Sequence, residues 1–205
     1  METLHFNEQW LIGKLDDLPP TLRVLFAASI AERLLPAYTG YSRLSGRGDP
    51  AALTRAMERL WQDIEGHRMN SAQVQKNLEM VIALIPREDD GSWIPEQAWA
   101  EDAAAAVAYA LRCRENGQST EAAWAARRAY ETLDHFVISK TGIDINNPGA
   151  DEKVLSFSLV QAELLRQRRD LDQLMAGEKD DAVSVARRMR QQALAESKIV
   201  FNTSL

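Results

Sequence analysis

The sequence predicts an all-α protein: one domain, residues 1–205, built as a helical bundle of about eight helices around two central apolar ones. Three observations carry this. Alanine-rich stretches and the scarcity of β-branched runs favour helix over strand. Apolar residues recur at helical spacing in segment after segment, as in Leu53, Met57, Leu60 and Ile64. Two segments, residues 22–35 and 99–111, are apolar around nearly their whole circumference, the mark of a helix enclosed on all sides.

The first helix is expected over residues 4–15, with Leu4, Trp10, Leu11 and Leu15 on its apolar side. Asp16-Asp17-Leu18-Pro19-Pro20 breaks it and starts the second, which Pro36 is expected to end or kink by removing a backbone donor. Tyr38, Tyr41 and Leu44 would then form a short continuation. Asp49 and Pro50 suit the N-cap and first turn of the third helix. Ser71 is the expected cap of the fourth, with Val74, Leu78, Val81 and Ile85 facing inward before Pro86 stops it. An acidic loop with Glu88, Asp89 and Asp90 leads to the fifth helix, residues 95–116, which Gly117 ends. Ser119 or Thr120 caps the sixth, which reaches about residue 140. Asn146-Asn147-Pro148 supplies turn chemistry. The seventh spans about 150–175 and the eighth 180–197, with Ile199-Val200-Phe201 as an apolar tail on the body.

Composition narrows the function classes. The chain has 205 residues, 45% apolar and 26% charged, with a net charge of -6. That balance argues against nucleic acid as a partner, because phosphate binding needs a basic surface. Two arginine clusters, Arg166/Arg168/Arg169 and Arg187/Arg188/Arg190, are offset by Glu163, Asp170, Asp172 and Asp181. They read as a solvated face with internal ion pairs. The N-terminus lacks the pattern of a signal peptide, and no window has the apolar length of a membrane span, so a cytoplasmic location in a bacterial cell is expected, with no membrane partner. Cys113 is the lone cysteine and reads as a small, partly buried residue.

Complete catalytic or cofactor motifs are not found. None of His5, His67 and His135 has a glutamate three positions before it, so the di-iron bundle pattern is missing. Glycines are too sparse for a phosphate-binding loop or dinucleotide fingerprint. Asp89-Asp90-Gly91 lacks the alternating ligands of a calcium loop. No cofactor and no metal is therefore expected. Arg47-Gly48-Asp49 is explained by turn and cap, and Thr203-Ser204-Leu205 by chance.

Residues 26–38, Phe-Ala-Ala-Ser-Ile-Ala-Glu-Arg-Leu-Leu-Pro-Ala-Tyr, resemble the opening signature of the YjaG-like bacterial family, all-helical proteins of unknown function. Gly46-Arg47-Gly48-Asp49-Pro50 with Leu60-Trp61 is similar to its second element. Ile85-Pro86 with Asp89-Asp90, then Ala100-Glu101-Asp102-Ala103-Ala104, is similar to its third. The resemblance covers about residues 15–171. It implies an all-α fold and supplies no activity. Glu32, Arg33, Tyr38, Trp61, Asp90 and Asp102 are the positions that match its motifs.

Charge inside the two apolar helices is the nearest approach to a functional signal. Glu32 and Arg33 lie in the second, Asp102 in the fifth. Buried charges are costly unless paired, so they form either structural ion pairs or a site. Arg33 is expected to pair with Asp102 across the central helices. Two readings stay open. In one, the protein is not an enzyme and acts by binding another protein or itself, most simply as a two-fold homodimer through surplus aromatics such as Trp10, Trp93, Trp99 and Trp124. In the other, Glu32, Arg33 and Asp102, walled by Tyr38 and Trp61, line a charged pocket for a small molecule or a reaction.

Overall fold

A computed structural model describes residues 3–87, 93–177 and 181–200, with side chains through 198. Among the described residues there are nine helices and no strand. They are α1 (Glu8–Asp16), α2 (Pro20–Ser45), α3 (Pro50–Ile64), α4 (Ser71–Leu84), α5 (Pro95–Asn116), α6 (Ser119–Thr141), α7 (Ala150–Leu155), α8 (Ser158–Ala176) and α9 (Ala182–Val200). The all-α expectation holds, and the two central helices are the ones the sequence marks. α2 lies against α3, α5, α6, α8 and α9, and α5 against α2, α3, α4 and α6. One continuous buried cluster runs from Leu11 to Met189.

Several boundaries differ from expectation, each for a local reason. α1 begins four residues late because the Asn7 carboxamide accepts from the Trp10 amide at 2.9 Å, capping the helix there. Asn70, not Ser71, caps α4, through a reciprocal box with Gln73. α2 runs unbroken past Pro36 to Ser45. Proline leaves the Glu32 carbonyl without its usual amide donor. Burial of Leu34, Leu35, Ala37, Tyr38 and Tyr41 on both sides of it outweighs that loss.

The expected seventh helix is two. Ser156 and Phe157 interrupt it, with the Ser156 hydroxyl donating to the Lys153 carbonyl at 2.7 Å. Gln161 exploits the break. Its amide donates to the freed Leu155 carbonyl at 2.8 Å and to the Leu4 carbonyl at 2.9 Å, while its oxygen accepts from the Leu4 amide at 2.8 Å. The extended segment before α1 is thereby stapled to the start of α8.

Arg23 closes the other end of the bundle. Its guanidinium donates to the carbonyls of Leu15 and Asp16 in the last turn of α1, of Leu18 just after it, and of Gly117 after α5. Helix ends leave carbonyls without partners, and a single arginine serves two of them here.

The acidic-loop residues Glu88, Asp89 and Asp90, and the tail from Phe201 to Leu205, lie outside the described residues. No helix among the described residues is long and apolar enough to cross a membrane.

Candidate functional site

The five candidate positions are all in the interior, yet they do not form one site. Arg33 is 1% exposed and turns toward α8 and α9. Its Nη1 donates to Asp170 Oδ2 at 2.7 Å and its Nη2 to Glu163 Oε1 at 3.0 Å, with Glu196 Oε2 at 3.7 Å. The expected pairing with Asp102 is therefore wrong. Asp102 belongs to the α5–α6 seam, where it accepts from Arg128 at 3.2 Å and from the Thr132 hydroxyl at 3.1 Å. Glu32, Arg33 and Asp102 thus all engage helices other than each other's, and both α2 and α5 are rich in fully buried alanines. Small side chains let the two backbones approach and leave no room there for an ion pair.

Burial works against the charge of Arg33, but Glu163 and Asp170 more than offset it and hold the guanidinium above its ordinary pKa. Both carboxylates are as buried as their partner. They have further donors: Gln167 and Arg166 for Glu163, Arg169 and Gln192 for Asp170. The acidic residues of the arginine-rich α8 were expected on a solvated face. The ion pairs exist, but Glu163 and Asp170 sit inside. The signal lay in their register, since Glu163, Gln167 and Asp170 share a face with Leu164, Leu171 and Leu174.

Glu32 projects elsewhere, into the α2–α3–α9 junction. Its Oε2 accepts from the Trp61 indole at 2.7 Å, so the structure does bring these two candidates together. Burial raises the Glu32 pKa, the indole and Arg190 oppose the rise, and Glu58 adds to it. Asp102 is pushed up to about 6 by burial, against the pull of Arg128 and Thr132.

Tyr38 serves a third place. Its hydroxyl donates to the Leu84 carbonyl at 2.8 Å and lies over the turn that precedes α3. It fastens the α2–α3 turn to the end of α4 and lines a cleft of about 190 Å³ with Tyr41, Arg47, Asp49 and Pro86. A larger cleft, about 320 Å³, opens between α1, α6 and α7, lined by His5, Phe6, Glu8, Arg127, Tyr130 and Glu131. None of the five candidates lines it.

Two buried polar anchors escaped the sequence reading. Asp63, fully enclosed at the end of α3, accepts from Arg114 of α5 and from the Met69 amide that precedes α4. Gln167 donates to the Ala126 carbonyl of α6 at 3.0 Å. Neither belongs to a recognisable motif; Gln167 shares the buried register of Glu163 and Asp170, whereas only tertiary neighbours reveal Asp63. Cys113 is enclosed, and burial pushes its thiol up to about 12, with Glu121 adding to the rise and Arg23 opposing it. A thiol so protonated is a poor nucleophile. Among the described residues no three of His, Cys, Asp and Glu converge as a metal site.

No curated protein matches the chain. Among solved structures, a DUF416 family protein from Shewanella baltica OS155 has the same fold, with a TM-score of 0.78 at 20% identity over 90% of this chain and 93% of that one. The sequence also matches the family described as "Protein of unknown function (DUF416)" over residues 11–198. With nearly the whole helical body inside that match, the chain belongs to the DUF416 family.

Proposed function

We propose that this protein acts by binding, to another protein or to a second copy of itself, in the cytoplasm of a bacterial cell, and that its central charged residues carry no reaction. The order of its motifs also supports a place among the YjaG-like members of its family. One observation carries the functional reading: every charged candidate is engaged in a structural bond. Arg33 is held by Glu163 and Asp170, Asp102 by Arg128 and Thr132, and Glu32 by Trp61. An acid–base or nucleophilic site needs groups free to meet a substrate, and these three positions open on three different seams.

The surface supports the same reading. Trp10, Trp93 and Trp124 are 44%, 61% and 36% exposed, and Leu165 and Met175 are also open to solvent. Exposed aromatic residues are enriched where proteins meet. Trp99, expected among them, is buried against Phe136 and does not contribute. Arg168 covers the Trp10 ring at 5.5 Å, leaving an amphipathic face on α1 and α8.

Native purification with mass spectrometry of both proteins and small molecules tests this. The expected result is a stoichiometric protein partner, or a mass above 23.0 kDa in sedimentation equilibrium at micromolar concentration. A small molecule retained at one per chain, released by substitution of Glu32 or Asp102, would overturn it.

A further inference from the structure

The cleft at the α2–α3 turn holds two polar side chains that the fold leaves unused. Arg47, partly buried, stands between Gly46 and Gly48, whose φ values of +69° and +77° bend the turn back onto Tyr38. Arg23, Arg33, Arg114 and Arg128 all spend their guanidiniums on carbonyls or carboxylates. The Arg47 guanidinium has no ion pair and no hydrogen bond among the described residues. Asp49, two positions on and in the same cleft, is already engaged: it caps the Ala52 amide at 2.8 Å and lies 3.8 Å from Arg55.

Tyr41 is the second. It is 2% exposed and lines the same cleft. Its hydroxyl bonds to no described residue and is not sealed off, so it opens on the cleft. A tyrosine this buried ordinarily gives its hydroxyl a partner. Tyr38 beside it does so, donating to the Leu84 carbonyl and accepting from the Asp49 amide.

Both unused groups are donors, so together they call for an acceptor, and the planar fork of a guanidinium matches a carboxylate. The Asp49 carboxylate and the carbonyl end of α4 both resist a second negative charge there. The rest of the wall, Ala83, Ile85 and Pro86, is apolar. The volume, about 190 Å³, suits a ligand with the bulk of about six waters.

We propose that this cleft binds a small monocarboxylate with a short apolar body. Arg47 and the Tyr41 hydroxyl hold the carboxylate, and Ile85 and Pro86 cover the body. Glu32, Arg33 and Asp102 take no part, so the site stands or falls independently of the binding reading above.

The test titrates the full-length protein with acetate, 2-methylpropanoate, 3-methylbutanoate and benzoate, followed by two-dimensional NMR of backbone amide and arginine Nε–H groups. The expected result is saturable binding of at least one acid larger than acetate, with a Kd of about 1 mM or tighter. The shifts should centre on Arg47 and residues 83–85. Neutral 3-methylbutanamide and inorganic phosphate should bind at least about tenfold more weakly. Arg47→Gln should weaken the acid about tenfold or more, and Tyr41→Phe several-fold. Neither substitution should lower the melting midpoint, because neither group holds the fold. Binding by none of the acids overturns the proposal, as does equal binding of the amide, tighter binding of phosphate, or an affinity indifferent to both substitutions. A lowered midpoint in either variant would make that side chain structural and overturn its place in the site.

Discussion

Arg33 and Asp170 meet at 2.7 Å across the α2–α8 boundary, each almost wholly removed from water. A pair this deep is worth little against well-fitted apolar residues, but losing one half leaves a buried, uncompensated charge. Arg33→Met is therefore expected to cost about 3–5 kcal/mol, because Glu163 and Asp170 both lose the buried guanidinium they share. A double-mutant cycle in chemical denaturation, Arg33→Met with Asp170→Leu, should give a coupling well above ~1 kcal/mol. The same cycle with Asp102→Leu should give none, because Asp102 lies on another seam. Coupling to Asp102 and not to Asp170 would contradict the geometry.

Asp102 gives the fold a pH dependence of defined sign. Its folded pKa, about 6, exceeds that of an unfolded aspartate, so the folded state holds the proton more tightly. Its contribution to stability is full below the unfolded value and is lost as pH rises through about 6. Asp102→Asn should flatten the stability profile between those two values and leave the protein no less stable at neutral pH. Thermal melts across that interval decide; a variant with the parental slope would show that the slope comes from other groups.

Gly48 has two independent reasons to be glycine. Its φ is +77°, in the left-handed region, and a Cβ there would lie 2.8 Å from the Tyr38 hydroxyl. Gly48→Ala is expected to cost ~1–2 kcal/mol from the backbone alone. It should also disturb the Tyr38 bond to Leu84. Tyr38→Phe, which removes that bond without adding bulk, should cost about 1 kcal/mol and suppress part of the Gly48→Ala effect by relieving the contact. Strictly additive losses would argue that the two residues do not touch.

Ile30 tests the centrality of α2. It is fully enclosed, with Phe26, Ala27 and Leu34 a turn away on the same helix also buried. Ile30→Asp adds a carboxylate with no partner, and a loss of at least ~3 kcal/mol is expected. A melting midpoint within a degree or two of the parent would mean that α2 is peripheral.

The sequence by itself determined the class of fold and its centre. α2 and α5 are identifiable because a helix without a polar face can exist in water only if other helices cover it. The start of α3 and the end of α5 followed from cap chemistry at Asp49 and Gly117, which acts within a few residues. Tertiary structure decided the rest. Whether Pro36 breaks α2 depends on what packs on either side of it, and whether residues 150–176 are one helix depends on Gln161 reaching back to Leu4. The charged residues show the division most plainly. That Glu32, Arg33 and Asp102 need partners is legible from their apolar neighbours. Which partners they take is set by helix rotation, and neighbouring residues on a helix point about 100° apart. Rotation therefore sends Arg33 to Asp170 and Glu32 to Trp61, contacts separated by 137 and 29 positions in the chain.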